Sequence, residues 1–279
     1  MEPMYSVLLW LALILYFVGI MLTVPSVMRQ RPSLSTSALT ALGIGLALHA
    51  ASLAVRGVDL GRLPVIDVQS ALSFFAFLVT LAFFLAYLRY RINFLGVFML
   101  PLVFVLTLFS ALRPGPSLRA MALSGGWLMV HISCIMLGYV GFFLTFVAAV
   151  MYLLQERQLK SKNPRASYYR LPSLEVCDQL YYRSLMFGLP FLTLGILTGF
   201  VWAARMWHGP WELDPKILAA LITWFIYLFL FSARLSGSWP GRFSAYIAIV
   251  GFAAIMVTFV GISFVSGWHG YIPRLGKGP

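Results

Sequence analysis

Residues 199–227 read GFVWAARMWHGPWELDPKILAALITWFIY. Two apolar runs flank a short polar loop, 202–216, which carries Trp202, Trp207, His208, Trp211 and an Asp214-Pro215-Lys216 turn. Such a pattern predicts two membrane-crossing helices joined by an aqueous connection. Three indoles and an imidazole at that position suit a flat apolar ligand held at the membrane surface.

The rest of the chain extends the same pattern. Of its 279 residues, 61% are hydrophobic and 10% are charged. Soluble domains carry about a quarter charged residues, so the composition is that of an integral membrane protein. A hydrocarbon core of about 30 Å takes roughly 20 apolar residues to cross. Eight segments are long enough, near 4–24, 37–56, 69–88, 93–112, 127–154, 184–204, 216–233 and 244–266. The expected fold is an all-α membrane bundle of about eight transmembrane helices. Residues 1–279 then form a single polytopic domain. The first segment follows Glu2, has no basic flank or small-residue cleavage site, and reads as a retained helix.

All eight acidic residues fall outside these segments. A mid-bilayer carboxylate costs at least about 2.5 kcal/mol, and ion-coupled transporters keep such groups in their pathways. Their absence argues against that class. Basic residues give the topology. Odd-numbered loops hold Arg29, Arg31, Arg89, Arg91, Arg157, Lys160, Lys162, Arg165, Arg170, Arg183, Arg234 and Arg242. The even-numbered loops and tail hold Arg56, Arg62, Arg113, Arg119, Arg205, Lys216, Arg274 and Lys277. The positive-inside rule puts the odd loops in the cytoplasm and both termini outside, in an inner (cytoplasmic) membrane. The net charge of +12 then faces anionic lipid rather than nucleic acid.

Loop 155–183 is the longest connection, basic in its first half and broken by Pro164 and Pro172. Leu174, Cys177, Leu180 and Tyr181 recur at helical spacing, which predicts a short interfacial helix over 173–183. Cys134 and Cys177 lie at different levels and form no Cys-x-x-Cys pair, so they read as packing residues.

On this topology the four histidines gather on one side. His49 lies in the outer half of the second span, His131 in the first turns of the fifth, His208 in the tryptophan loop and His269 just past the eighth. Histidine is the usual axial ligand of haem iron, and two imidazoles from different helices can sandwich one porphyrin. His131 and His269 could flank the loop from both sides. Arg205, Arg119 or Lys216 could meet propionates. Zinc is the poorer alternative, because no His-x-x-x-His or Cys-x-x-Cys pair is present. No Ser-His-Asp or Cys-His arrangement for nucleophilic catalysis suggests itself.

The stretch 199–227, the preceding LPFLTLGILTG, the WLMVHISCIMLGYVGF segment around His131 and the His-Gly-Tyr at 269–271 together resemble the cytochrome c assembly proteins, the CcsA/CcmC/HemX-type superfamily. The resemblance implies an eight-helix protein that binds b-type haem non-covalently at the outer face. It makes His131 and His269 the iron ligands. It places Trp202, Trp207, Trp211, Asp214 and Pro215, with His208 among them, in the loop that presents haem to apocytochrome c. It implies a CcsB/ResB-like membrane partner and at most one part of a haem lyase.

This chain also departs from the fullest family pattern. Leu213 stands for a Trp, Ile217 for a Glu, Pro210 for a Tyr and His208 for a Gly. The end of the seventh span reads FLFSAR, with Ser232 and no histidine. The acidic residue of the family's earlier turn is missing around Ser70. These departures tilt toward the HemX-like branch, with His49 as a candidate internal ligand. Two alternatives stay open at this point: a HemX-like regulator of haem biosynthesis, and a small-molecule transporter.

Overall fold

The computed structural model describes residues 3–65, 68–112, 126–161, 171–206, 214–237 and 241–258. Among these residues the fold is wholly helical. The helices are α1 (Met4–Arg29), α2 (Pro32–Leu60), α3 (Val68–Tyr90), α4 (Phe94–Leu112), α5 (Gly126–Leu159), α6 (Leu174–Met206), α7 (Pro215–Leu235) and α8 (Arg242–Met256). The first seven are long and apolar enough to cross a membrane. α8 has 15 residues, and residues 259–266 of the expected eighth span lie outside the described residues.

Side-chain exposure is that of a protein in lipid. Leu85, Phe109, Ile222 and Phe225 are each 60% exposed, whereas Tyr16, Tyr227, Phe142 and His49 are fully buried. No aqueous surface offers so many large apolar groups at such exposure. Three buried threonine hydroxyls are satisfied within their own helices. Thr80, Thr107 and Thr145 donate to the carbonyls of Ala76, Val103 and Gly141, four residues back, at 2.7–2.9 Å. In hydrocarbon there is no water to take that role.

The chain divides into two compact units. Unit 1 comprises Met1–Ser124 with Ser161–Pro172, and unit 2 comprises Gly125–Lys160 with Ser173–Pro279. In unit 1, α1 touches α2 and α4, and α3 touches the same two helices. In unit 2, α5 touches α6 and α8, and α7 touches the same two. Each unit is thus a closed ring of four consecutive helices.

Small residues set the tightest approaches within each ring. In unit 1, Gly45 leaves room for the Tyr16 ring and Gly19 for Leu42. In unit 2, a Cβ on Gly141 would come within 2.7 Å of the Gly188 Cα, so the backbones of α5 and α6 all but touch. Phe142 stacks on Tyr227 with centroids 3.6 Å apart and planes 10° from parallel. The bare Cα of Gly251 on α8 makes space for that pair.

Two expectations about element boundaries change. The interfacial helix over 173–183 is not separate: α6 runs unbroken from Leu174 to Met206. Its face of Cys177, Leu180 and Tyr181 is buried against the bundle instead of lying on lipid headgroups. The tryptophan loop is also shorter than 202–216. Trp202 and Arg205 belong to the last turns of α6, and Asp214-Pro215-Lys216 begins α7.

Candidate functional site

His131 sits in the second turn of α5, partly buried, and faces α6. Its Nδ1 lies 2.7 Å from the Gly195 carbonyl. A carbonyl can only accept, so Nδ1 carries the proton and donates it. Nε2 is then the nitrogen that carries the lone pair, the tautomer that metal-binding histidines commonly owe to such a partner. The imidazole lies directly against Gly199. A Cβ there would come within 2.6 Å of Cε1 and 2.7 Å of Nδ1.

Trp127 stands one helical turn before His131. Its indole Nε1–H donates to the Thr198 carbonyl at 2.9 Å. Trp202 follows Gly199 by three residues, so Gly195, Gly199 and Trp202 form one stripe of α6 at i, i+4 and i+7. His131, Trp127 and Trp202 therefore gather at one end of the α5–α6 pair. Arg205 is exposed in the last turn of α6 at that same end.

Asp214 begins the return into the membrane. It is 4% exposed and caps α7, with Oδ1 accepting from the Lys216 N–H at 2.9 Å. Pro215 follows at the first helical position, where its missing N–H costs nothing. The conspicuous Asp-Pro-Lys turn is thus accounted for as a helix start.

His49 belongs to unit 1. It is fully buried, with Tyr16 Oη 3.1 Å from Nδ1 and Ser73 Oγ 2.9 Å from Nε2. Both ring nitrogens are engaged, and the residue ties α1, α2 and α3 together. Ser232, near the end of α7, donates to the Leu228 carbonyl at 2.8 Å. Trp207, His208, Trp211 and His269 lie outside the described residues.

A porphyrin iron needs an axial nitrogen with a fixed lone pair and broad apolar faces beside it. His131 supplies the first, and Trp127 and Trp202 are indoles at the same end of the helix pair. Among the described residues, no three of His, Cys, Asp or Glu converge as a metal cluster. Sequence reasoning did not single out Trp127, Gly195 and Gly199. The Gly-x-x-x-Gly spacing of 195–199 and the one-turn spacing of Trp127 and His131 were the available signals.

A second polar group closes the far end of unit 2. Arg234 on α7 pairs with Asp178 on α6 at 2.6 Å and lies over the rings of Tyr181 and Tyr182. Arg242 on α8 pairs with Glu156 on α5 at 3.2 Å, and Lys160 pairs with the same Glu156 at 2.6 Å. The Tyr181 hydroxyl donates to the Ser244 carbonyl at 3.2 Å. Four helix ends are pinned there by charge and hydrogen bonds.

The family model described as "Cytochrome C assembly protein" matches residues 1–269. A "Cytochrome c biogenesis protein CcsA" from Guillardia theta is 31% identical, over 78% of this chain and 80% of the relative. One from Thermosynechococcus vestitus is 30% identical, over 94% of this chain and 93% of the relative. One from Gloeothece citriformis is 28% identical, over 94% of each.

Proposed function

The chain belongs to the cytochrome c assembly protein family, and on that premise we propose that it acts in cytochrome c biogenesis, holding haem at the outer face of the membrane and presenting it to apocytochrome c. Haem is its cargo. His131 and His269 hold the iron axially, and Trp202, Trp207 and Trp211 form the apolar platform. Arg205, exposed in the last turn of α6, would meet a propionate. The bond between His131 Nδ1 and the Gly195 carbonyl carries the proposal, because it makes Nε2 the nitrogen with the lone pair, in the first turns of α5 beside the end of α6 where the tryptophan segment begins.

Bound haem supplies the vinyl groups that become thioethers with the cysteines of a Cys-x-x-Cys-His segment. This chain's own residues orient and shield it. No acid–base pair from the protein is required. The residues that would hold the iron, with their hydrogen bonds, would set its reduction potential. A CcsB/ResB-like partner supplies the external portion, and the protein sits in the inner membrane with both termini outside. His49 takes no part in this proposal: both its nitrogens are engaged within unit 1. The relatives are named for biogenesis, which favours assembly over the regulatory alternative.

Purified protein supplemented with haem is expected to show a sharp Soret band that His131→Ala and His269→Ala each diminish. A protein that stays colourless overturns haem binding. In a deletion strain, covalent haem should disappear from c-type cytochromes. Normal haem staining of those cytochromes overturns the assembly role.

A further inference from the structure

The α6 segment Gly195-Ile196-Leu197-Thr198-Gly199 makes three separate contacts with the first turns of α5. The Gly195 carbonyl accepts from His131 Nδ1. The Thr198 carbonyl accepts from Trp127 Nε1. The Gly199 Cα forms the floor on which the imidazole rests. These three contacts restrain the ring in different ways. The first fixes which nitrogen is protonated. The second registers α5 against α6 one turn away. The third sets the depth of the ring, since any side chain at 199 would meet Nδ1 and Cε1 below 3 Å.

We propose that Gly199, with Gly195 and Trp127, is a positioning residue for the iron ligand His131: the glycine floor lets the imidazole lie flat enough on α6 to donate from Nδ1, which commits Nε2 to haem. The proposal rests on the haem-holding function above and extends it to residues that touch no iron. A helix–helix contact alone would account for a small residue at 199. It would not account for a ring whose donor nitrogen is seated on the carbonyl one turn back while its carbon edge covers that same glycine.

Substituting Gly199→Ala is the direct test. The new Cβ displaces the ring and breaks the bond to Gly195. Loss of such an outer hydrogen-bond partner weakens metal binding by about 10–100-fold. Haem titration of the purified full-length protein should show a weakening of that order in Gly199→Ala, together with a shift of the iron from low spin toward high spin. Millimolar imidazole should restore both, because it replaces a misplaced ligand.

Wild-type affinity and spin state in Gly199→Ala overturn the positioning role and leave haem binding standing. A loss that imidazole does not restore also overturns it, by assigning the effect to helix packing. A wild type that binds no haem overturns the function on which the proposal rests. Should Gly199→Ala fail to accumulate, Trp127→Phe carries the test, since it keeps the room for the imidazole and an aromatic face while removing the anchor to Thr198. Weakened binding restored by imidazole supports the proposal, and unchanged binding overturns it.

Discussion

Tyr16 and Ser73 each meet a ring nitrogen of His49, at 3.1 and 2.9 Å, inside a fully buried pocket of unit 1. Interhelical hydrogen bonds in membranes are worth about 0.6 kcal/mol on average. Replacing His49→Leu therefore should cost about 1–2 kcal/mol, seen as a lower midpoint in thermal unfolding of the detergent-solubilised protein. The Soret band per folded molecule should be unchanged, and its loss would move His49 into the haem site. Asp214 invites the same separation of roles. As the cap of α7 it contributes about 1 kcal/mol, and asparagine caps as well as aspartate. Asp214→Ala should lower stability by that amount and Asp214→Asn should restore it. If haem affinity fell in Asp214→Asn while stability held, the carboxylate charge would be acting on the ligand. Single residues were legible in the sequence only by type. That His131 and Asp214 matter could be read from their surroundings, but the capping bond and the partner 64 residues away from His131 could not.

At the scale of the element, α5 and α6 outrun the membrane. Their 34 and 33 residues span about 50 Å at 1.5 Å per residue, against a core of about 30 Å. Hydropathy marks where each apolar run stops, and the charged residues beyond, Glu156, Lys160, Glu175 and Asp178, read as loop. The helices continue because Glu156 and Asp178 find partners on neighbouring helices. Arg242 on α8 meets Glu156, and Arg234 on α7 meets Asp178. Such pairings are long-range and leave no local pattern. That is why six of the seven described spans were legible to within a turn or two, while α6 begins ten residues before the expected 184 and the 155–183 connection was assigned too many residues. A double-mutant cycle of Asp178→Asn and Arg234→Gln should give a coupling of about 1 kcal/mol, reduced by salt. Additive effects would show that the pair does not hold α6 and α7 together.

At the scale of the molecule, every candidate haem residue other than His49 and Arg119 belongs to unit 2. His131, Trp202 and Asp214 are described there, and Trp207, His208, Trp211 and His269 fall within its sequence. Unit 2 closes its ring of helices without help from the first four. α5 meets α6 and α8, α7 meets the same two, and the Arg234–Asp178 and Arg242–Glu156 pairs fasten one end. The four helices of unit 1 are an even number, so removing them leaves the start of α5 on the side where the chain began. A fragment of residues 125–279 should therefore insert with the orientation it has in the whole protein. If His131 and His269 are the iron ligands, that fragment should bind haem within about tenfold of the full-length affinity, since each tenfold is only 1.4 kcal/mol. Titration of the purified fragment measures this directly. A folded, correctly oriented fragment with no Soret band would mean that unit 1 supplies a group to the haem site, and the buried His49 would then be the first residue to reconsider.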